Sequence, residues 1–415
     1  MDDKNEEQEI ETTEEKVEEE EIIEEASDAD TPEDFSSEES NDNNFVSDNG
    51  NKELIRKLGM LAGVILVAGL VIGLLLWIVS LFSGPSYTYE DVEEIMKEAA
   101  ESYFADHKKS LPKSKQVVEI TTSVLVKNEY MKDLTEYLGD DSKCSGKVSV
   151  KKVDSKYIYT PYLNCGEEYT TTELYKILKK KVVSSGSGLY RSKDGYIFRG
   201  ERPKNYVKLK GRVWRAVKIN SDNEVMLVSN YTYQLPSCWD DRYNVTNDYN
   251  SGINDYKASR IKEYLNKLYN EKNSYNRILT SSDRSKLTTF DLCIGKRDVG
   301  SSIKDNSVEC SERFGNQKIG LLTVSDYMFA SLDNNCNKDT DLACQNYNYL
   351  NNAEEWYTAT AVKSDNFKAF YINSNGEIIY DEAMNYLEFR PVIMLNNSTM
   401  IKSGKGTKKK PYKLK

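Results

Sequence analysis

Histidine is almost missing from this chain: of 415 residues only His107 is one. No Ser-His-Asp or Cys-His pair can therefore be assembled in the C-terminal half, and HExxH and histidine-containing zinc sites are excluded as well. No G-x-x-x-x-G-K-[ST] phosphate loop occurs. Cysteine is absent before Cys144, and long apolar runs are absent everywhere except residues 58–82. The first fifty residues lack cationic side chains almost entirely, with 22 acidic and 2 basic groups for a net of −20. The whole chain carries −11, so residues 51–415 carry +9.

Each of these shortages marks a region. Segment 1–53 is dominated by Glu, Asp, Ser and Asn and cannot bury enough apolar surface to offset its ordering entropy, which predicts a disordered acidic tail. The uncharged run within 54–83 is long enough to cross a bilayer, since about 20 apolar residues at about 1.5 Å each span its hydrocarbon core. It is too long and too far from the N-terminus for a secretory signal, and no A-x-A site follows it. Lys52, Arg56 and Lys57 precede it, so the positive-inside rule predicts a single-pass protein of the cell membrane with a cytoplasmic N-terminus and an extracellular C-terminal region. Gly59-Gly63 and Gly69-Gly73 have the spacing that lets membrane helices approach closely. All seven cysteines then fall in the exported part, where disulfides persist.

Beyond the run, a Ser/Gly linker at 183–188 separates a membrane-proximal segment, 84–182, from a larger one, 189–415. In the first, Thr88 and Asp91 are spaced as a capping box ahead of a helix over 89–106, with Val92, Ile95, Met96, Ala99 and Tyr103 on one side. Two strand-like runs between 145 and 163 meet at Asp154-Ser155, and a two-residue turn there pairs positions whose numbers sum to 309. Cys144 and Cys165 sum to 309. Opposed residues in an antiparallel pair lie within disulfide reach, so this register predicts a Cys144–Cys165 bridge, with Val148 and Val150 beside Pro161 and Tyr159.

In the second segment, strands are expected at 205–210, 212–219, 224–229, 366–373 and 377–381, and an amphipathic helix over 256–269. Strands at both ends with helices between them argue for an α+β domain. Cys293–Cys310 and Cys336–Cys344 read as local bridges, leaving Cys238 over; spacing alone leaves other connectivities open. Asp333, Asn335, Asn337, Asp339 and Asp341 alternate oxygen donors as a calcium loop does, but an EF-hand would need Gly at Lys338 and Glu at Cys344. No cofactor or metal is expected.

The helix ending Tyr103-Phe104, then Leu111-Pro112, Val117-Val-Glu-Ile-Thr121 and the cysteine-clipped hairpin together resemble ectodomains of pilin-like surface proteins of low-GC Gram-positive bacteria. No prepilin signal precedes the apolar run, so the resemblance implies a pilin-like shape. The larger segment resembles a family of uncharacterised bacterial surface domains through Gly211-Arg-Val-Trp214, Val225-Met-Leu-Val, Ser259-Arg-Ile-Lys-Glu-Tyr-Leu-Asn266, Ile319-Gly-Leu-Leu-Thr-Val-Ser-Asp-Tyr327, Trp356-Tyr-Thr-Ala-Thr360, Arg390-Pro-Val-Ile-Met-Leu-Asn396 and the ending Ser403-Gly-Lys-Gly-Thr-Lys-Lys-Lys-Pro-Tyr412. Such domains are similar to the fold shared by C-type lectins and formylglycine-generating enzymes. The copper-binding cysteine motif of those enzymes has no counterpart here.

Candidate ligand contacts are Trp239, Asp240, Asp241 and Arg242, followed by Tyr243, together with Trp356 and Tyr357. Aromatic rings offer an apolar face with a polar edge, and Arg and Asp hydrogen-bond sugars or peptides. Trp356 and Arg390 read equally as core and a structural ion pair. The leading expectation is an extracellular binding or adhesion protein whose partner is a cell-wall polymer, a glycan or a surface protein of host or bacterium, and not a nucleic acid. A structural pilin-like envelope component without a discrete ligand is the alternative. An enzyme acting on envelope glycans through two carboxylates stands third.

Overall fold

The computed structural model describes residues 87–415 apart from 141, 210, 247–248 and 273–277, together with Gly69 and 72–74. The chain divides into two units, Met1–Ser83 and Gly84–Lys415. The expected acidic tail, and all of the expected transmembrane helix except Gly69 and 72–74, lie outside the described residues. Among the described residues no helix is long and apolar enough to cross a membrane.

The second unit is a mixed α+β structure, mostly strands, built around a small core and a large one, with a satellite cluster of Val324, Met328, Cys336, Cys344, Val362 and Phe370 beside the large core. The small core begins with α1 (Tyr89–Asp106), which starts on the expected capping box: Asp91 N donates to Thr88 Oγ1 at 3.2 Å and Thr88 N to Asp91 Oδ2 at 2.8 Å. Its buried face, Val92, Met96, Ala99 and Phe104, packs on a three-stranded sheet of β1 (Val117–Thr121), β2 (Ser145–Val153) and β3 (Lys156–Asn164), with α2 (Thr122–Lys127) and α3 (Leu134–Leu138) closing one side. β2 and β3 pair in the expected register, from Ser145↔Asn164 to Val153↔Lys156, with Val148 opposite Pro161 and Val150 opposite Tyr159. Asp154 takes the left-handed conformation the turn needs, at φ 53°. The register places Cys144 against Cys165, and the two form a disulfide across 4.3 Å between Cα atoms.

The large core is laid on two sheets. One runs β11 (Leu287–Thr288), β18 (Val392–Leu395), β9 (Val225–Ser229), β8 (Arg212–Asn220), β7 (Tyr206–Leu209), β20 (Tyr412–Leu414), β19 (Met400–Ser403), β4 (Thr172–Glu173), with β6 (Gly195–Arg199) also on β8 and β5 (Gly188–Ser192) on β6. The other runs β10 (Tyr233–Cys238), β17 (Tyr386–Phe389), β14 (Trp356–Ala361), β15 (Lys368–Ile372), β16 (Ile378–Glu382), with β14 and β17 parallel. β12 (Phe290–Cys293) and β13 (Arg313–Gln317) form a separate pair, and α4 (Leu174–Lys179), α5 (Arg260–Asn270), α6 (Ser281–Arg284) and α7 (Val324–Ala330) complete the domain. β9 and β18 are buried along most of their length, which explains their continuous Val/Ile/Leu/Met runs. The expected helix over 256–269 starts later, at Arg260, because Ser259 is extended and its hydroxyl caps Lys262 N; residues Tyr256–Ala258 form a 3-10 turn. Cys293–Cys310 and Cys336–Cys344 are disulfides and Cys238 is a buried free thiol.

Packing divides the two cores earlier than the expected linker at 183–188. Leu174 and Leu178 already belong to the large core, and β4 joins its sheet through Met400↔Glu173 and Ile401↔Thr172. Segment 183–188 is itself pinned: Val183 N donates to Leu189 O at 2.9 Å, and a Cβ on Gly188 would lie 2.6 Å from Val183 Cγ2. Across the junction, Glu93 of α1 is buried and accepts from Tyr169 Oη at 2.8 Å and Thr171 Oγ1 at 2.5 Å, with Lys415 as its counter-charge.

A buried cation holds the α7 side of the large core. Arg297 is fully buried and donates to Asp339 at 2.6 Å, Glu309 at 3.3 Å, Ser325 at 3.1 Å and the Ile303 carbonyl at 2.6 Å, so its charge is paired and its donors are used.

Candidate functional site

After β10 the chain makes a long connection, residues 239–255, of which 239–246 and 249–255 are described, before the 3-10 turn at Tyr256. Long loops without secondary structure are most often functional, provided something holds their shape. Three buried polar side chains hold this one. Asp240 accepts from Arg242 N at 3.1 Å, from Arg242 Nε at 2.9 Å and from Ile253 N at 2.8 Å, closing the loop on itself, while its own N–H donates to Ala383 O at 2.9 Å. Asn244 donates to Gly252 O at 2.8 Å and accepts from Thr246 N at 3.0 Å. Asn254 donates to Val362 O and Lys368 O, both at 2.8 Å, and accepts from Lys296 Nζ at 2.6 Å. Gly252 is required where the loop crosses itself: at φ 86° a Cβ there would lie 2.4 Å from Asp240 O.

What the loop displays is aromatic. Tyr243 is 50 % exposed, Tyr249 44 % and Val245 84 %, and Tyr386, at the start of β17 opposite Cys238, is 67 % exposed. Tyr249 Oη donates to Glu382, which places it on the same turn as Tyr386 and pushes its phenol pKa up. Tyr357 fixes that turn from beneath, donating to Asn385 O at 2.7 Å. Tyr249 and Tyr386 thus expose their rings about one turn and Tyr243 exposes its ring on the same loop as Tyr249, a set termed the tyrosine rim; on that loop Asp241 binds Arg260 at 3.1 Å, and Arg260 also binds Glu263. Rings with one free face and a polar edge suit stacking on sugar rings or on an extended peptide.

The six candidate contacts are brought into one region, yet four of them face inward. Trp239 is fully buried, with its indole N–H donating to Thr358 O at 3.1 Å and its ring edge against Tyr256. Asp240 is buried as the loop's fastening. Trp356 is buried between Tyr327 and the Arg390 guanidinium, which stands 5.1 Å over its ring. Tyr357 is buried, and burial pushes its phenol far up. These four are corrected from ligand contacts to supports, because a side chain enclosed by the core presents no face to a ligand. Asp241 and Arg242 reach the surface, although Arg242 spends its Nε on Asp240. Arg390 forms no ion pair among the described residues: it donates to Ser229 O at 3.0 Å and Leu350 O at 2.7 Å, and burial lowers its pKa to about 10.

Tyr249, Val245, Tyr386 and Glu382 were missed by the sequence reading. A usable signal existed for the first two, since Tyr243-Asn-Val-Thr-Asn-Asp-Tyr249 sets apolar groups among turn formers where no periodicity assigns them to a core. Nothing local marks Tyr386.

Around 333–341 the donor oxygens are already engaged. Asp339 binds Arg297, Asp341 accepts from Asn337 N and Lys338 N at 2.8 Å each, and Asp333 accepts from Asn335 N and Asn346 Nδ2 at 2.8 Å each. The carboxylates diverge from one another into separate partners, and no group of three metal-ligating side chains converges among the described residues. His107 closes the end of α1, stacked on Tyr103 with Nδ1 2.8 Å from Tyr103 O.

No family model, curated protein or solved structure matches the chain.

Proposed function

We propose that this is a single-pass surface protein whose large domain is a binding module, taking a glycan or an extended peptide on the tyrosine rim of Tyr243, Tyr249 and Tyr386. The observation that carries the reading is the pairing of a pinned loop with exposed rings. Asp240, Asn244 and Asn254 fasten the loop's two limbs, 240–246 and 249–254, to one another and to the core, and preorganisation of this kind reduces the ordering cost of binding. The apolar run and its basic flank support a location of this domain outside the cell, after the small disulfide-clipped membrane-proximal region. The single histidine lies in that region, so acid–base chemistry by imidazole is absent from the large domain.

The test is a glycan and peptide array probed with the full-length chain in neutral detergent, followed by Tyr249→Ala and Tyr386→Ala. Each substitution should weaken the hit about 2- to 10-fold, as loss of one stacking ring does, with unfolding free energy changed by less than about 0.5 kcal/mol. Binding that neither variant alters would remove the rim from the reading. Turnover of an arrayed glycan, abolished by substituting one carboxylate, would make the protein an enzyme.

A further inference from the structure

The last fourteen residues, 402–415, contain seven lysines and no acidic residue. The loop between β19 and β20 displays most of them, and hydrogen bonds fasten it. Lys405 N donates to Lys410 O at 2.8 Å, Lys410 N to Thr407 Oγ1 at 3.0 Å, and Tyr206 N to Gly406 O at 3.0 Å. Gly404 sits at φ 110° where a Cβ would lie 2.1 Å from Pro411 O, so the crossing admits only glycine. From beneath, the half-buried Lys181 donates to Lys405 O at 2.8 Å.

This loop walls a recess of about 440 Å³ whose other wall, Gly166 to Thr170, comes from the chain leaving the small core. Lys405, Lys409, Lys410 and Lys413 line it. The acidic groups on the recess are Glu167 and Glu168, and Glu168 accepts from Tyr89 Oη at 2.9 Å. Glu167 alone bridges two of the lysines, Lys405 and, at 3.5 Å, Lys410. Among the described residues no carboxylate lies within 4.0 Å of Lys409 or Lys413. Four lysines and two exposed carboxylates, Glu167 and Glu168, thus line one concave site, an excess of two positive charges, and such a site focuses its field on an incoming anion.

We propose that this recess binds a phosphate-bearing polyanion, one phosphate taking the place of Glu167 between Lys405 and Lys410 and neighbouring phosphates reaching Lys409 and Lys413. Lysine suits a chain of phosphates because it acts as a point charge with rotatable donors, without the fixed fork that selects a planar carboxylate. The occupant is a soluble polymer and not a bilayer surface, because the lysines line one wall of a recess into which a flat headgroup plane does not enter. The proposal shares no residue with the tyrosine rim and stands or falls separately from it.

The experiment titrates the full-length chain in neutral detergent with fluorescent short-chain inorganic polyphosphate. Saturable binding is expected, with the logarithm of affinity falling against the logarithm of salt with a slope of about −3 for four lysine contacts at roughly 0.7 each on a flexible strand. Lys409→Glu with Lys413→Glu should weaken it at least about tenfold, since like charges then face the phosphates. Glu167→Gln should tighten it about two- to fivefold by removing the resident competitor, the range that an exposed ion pair spans. Tyr249→Ala should leave it unchanged. Opposite signs from the lysine and glutamate variants cannot arise from misfolding. Binding unaffected by the lysine pair, or weakened by Glu167→Gln, overturns the proposal. Polyglutamate of equal charge, a polyanion without phosphate, binding as tightly would show a general field in place of a phosphate site, and tighter binding to phosphatidylglycerol vesicles would assign the patch to a membrane; either result overturns it.

Discussion

Between Tyr87 and Thr171 there is no tryptophan, and one helix lies on three strands whose ends are tied by Cys144–Cys165. Beyond Thr171 three tryptophans, Trp214, Trp239 and Trp356, are fully buried, and two sheets are held by long-range pairing. The small core is a design of near neighbours. Its hairpin, cap and disulfide join residues close in sequence, and a covalent clip offsets a modest apolar content. The large core depends on distant segments: β20 lies between β7 and β19, and Arg390 reaches back to Ser229. It can hold irregular loops such as 239–255 because its buried area carries the stability they do not supply. This contrast explains why the exposed rings sit on the large core and the lysine recess at the junction.

The comparison breaks first at Trp239. Trp239→Ala should destabilise the large core by about 3–5 kcal/mol, the cost of emptying a large buried aromatic site, and chemical denaturation should show it. If near-wild-type stability survives, the core does not rest on its tryptophans. Hydrogen exchange should then find α1 and β2 losing less protection than β8 and β14, because the small core buries none of that side chain.

Replacing Cys144 and Cys165 by serine should cost about 3 kcal/mol from a closed loop of this length, confined to the small core. Uniform loss of amide protection across both cores would mean that they unfold as one and that the distinction is geometric only.

The smallest effect is the pH response of the large core. Asp326 is buried at the start of α7. Burial alone would raise its pKa, but the charge of Lys218, the Thr323 backbone N–H and the Asn306 amide outweigh it and hold the carboxyl below its ordinary value. A depressed folded pKa contributes stability that is complete above the unfolded value, about 3.9, and is lost as pH falls through the folded one. Asp326→Asn should therefore cost about 1–2 kcal/mol at neutral pH, in the range of a lost helix cap, with the gap from wild type closing below pH ~3.9. A gap that stays constant down to pH ~2 would show that the carboxylate's charge is immaterial.

Thiol chemistry follows the same division of regions. Cys238 lies beneath the tyrosine rim, and burial with the nearby Asp241 and Asp240 charges pushes its thiol up to about 11, so it is a core side chain and a poor nucleophile while the domain is folded.

Sequence by itself determined what depends on near neighbours. Thr88 and Asp91 announce α1 because a capping box spans three residues. The 309 register follows from a two-residue turn and a period of two, and with it the Cys144–Cys165 bridge. The α+β class follows from the order of strand-like and helical runs. Only the tertiary structure decided which rings are buried. Trp239 and Tyr243 stand four residues apart in the same loop, and one is enclosed by Thr358 and Tyr256 while the other meets solvent. That outcome depends on β14 and on a turn more than a hundred residues away, whose approach no local pattern encodes. The junction is the same case: Ser/Gly composition marks 183–188, yet β4 crosses into the large sheet before it, because pairing with β19 buries Leu174 and Leu178 where a linker would leave them in water.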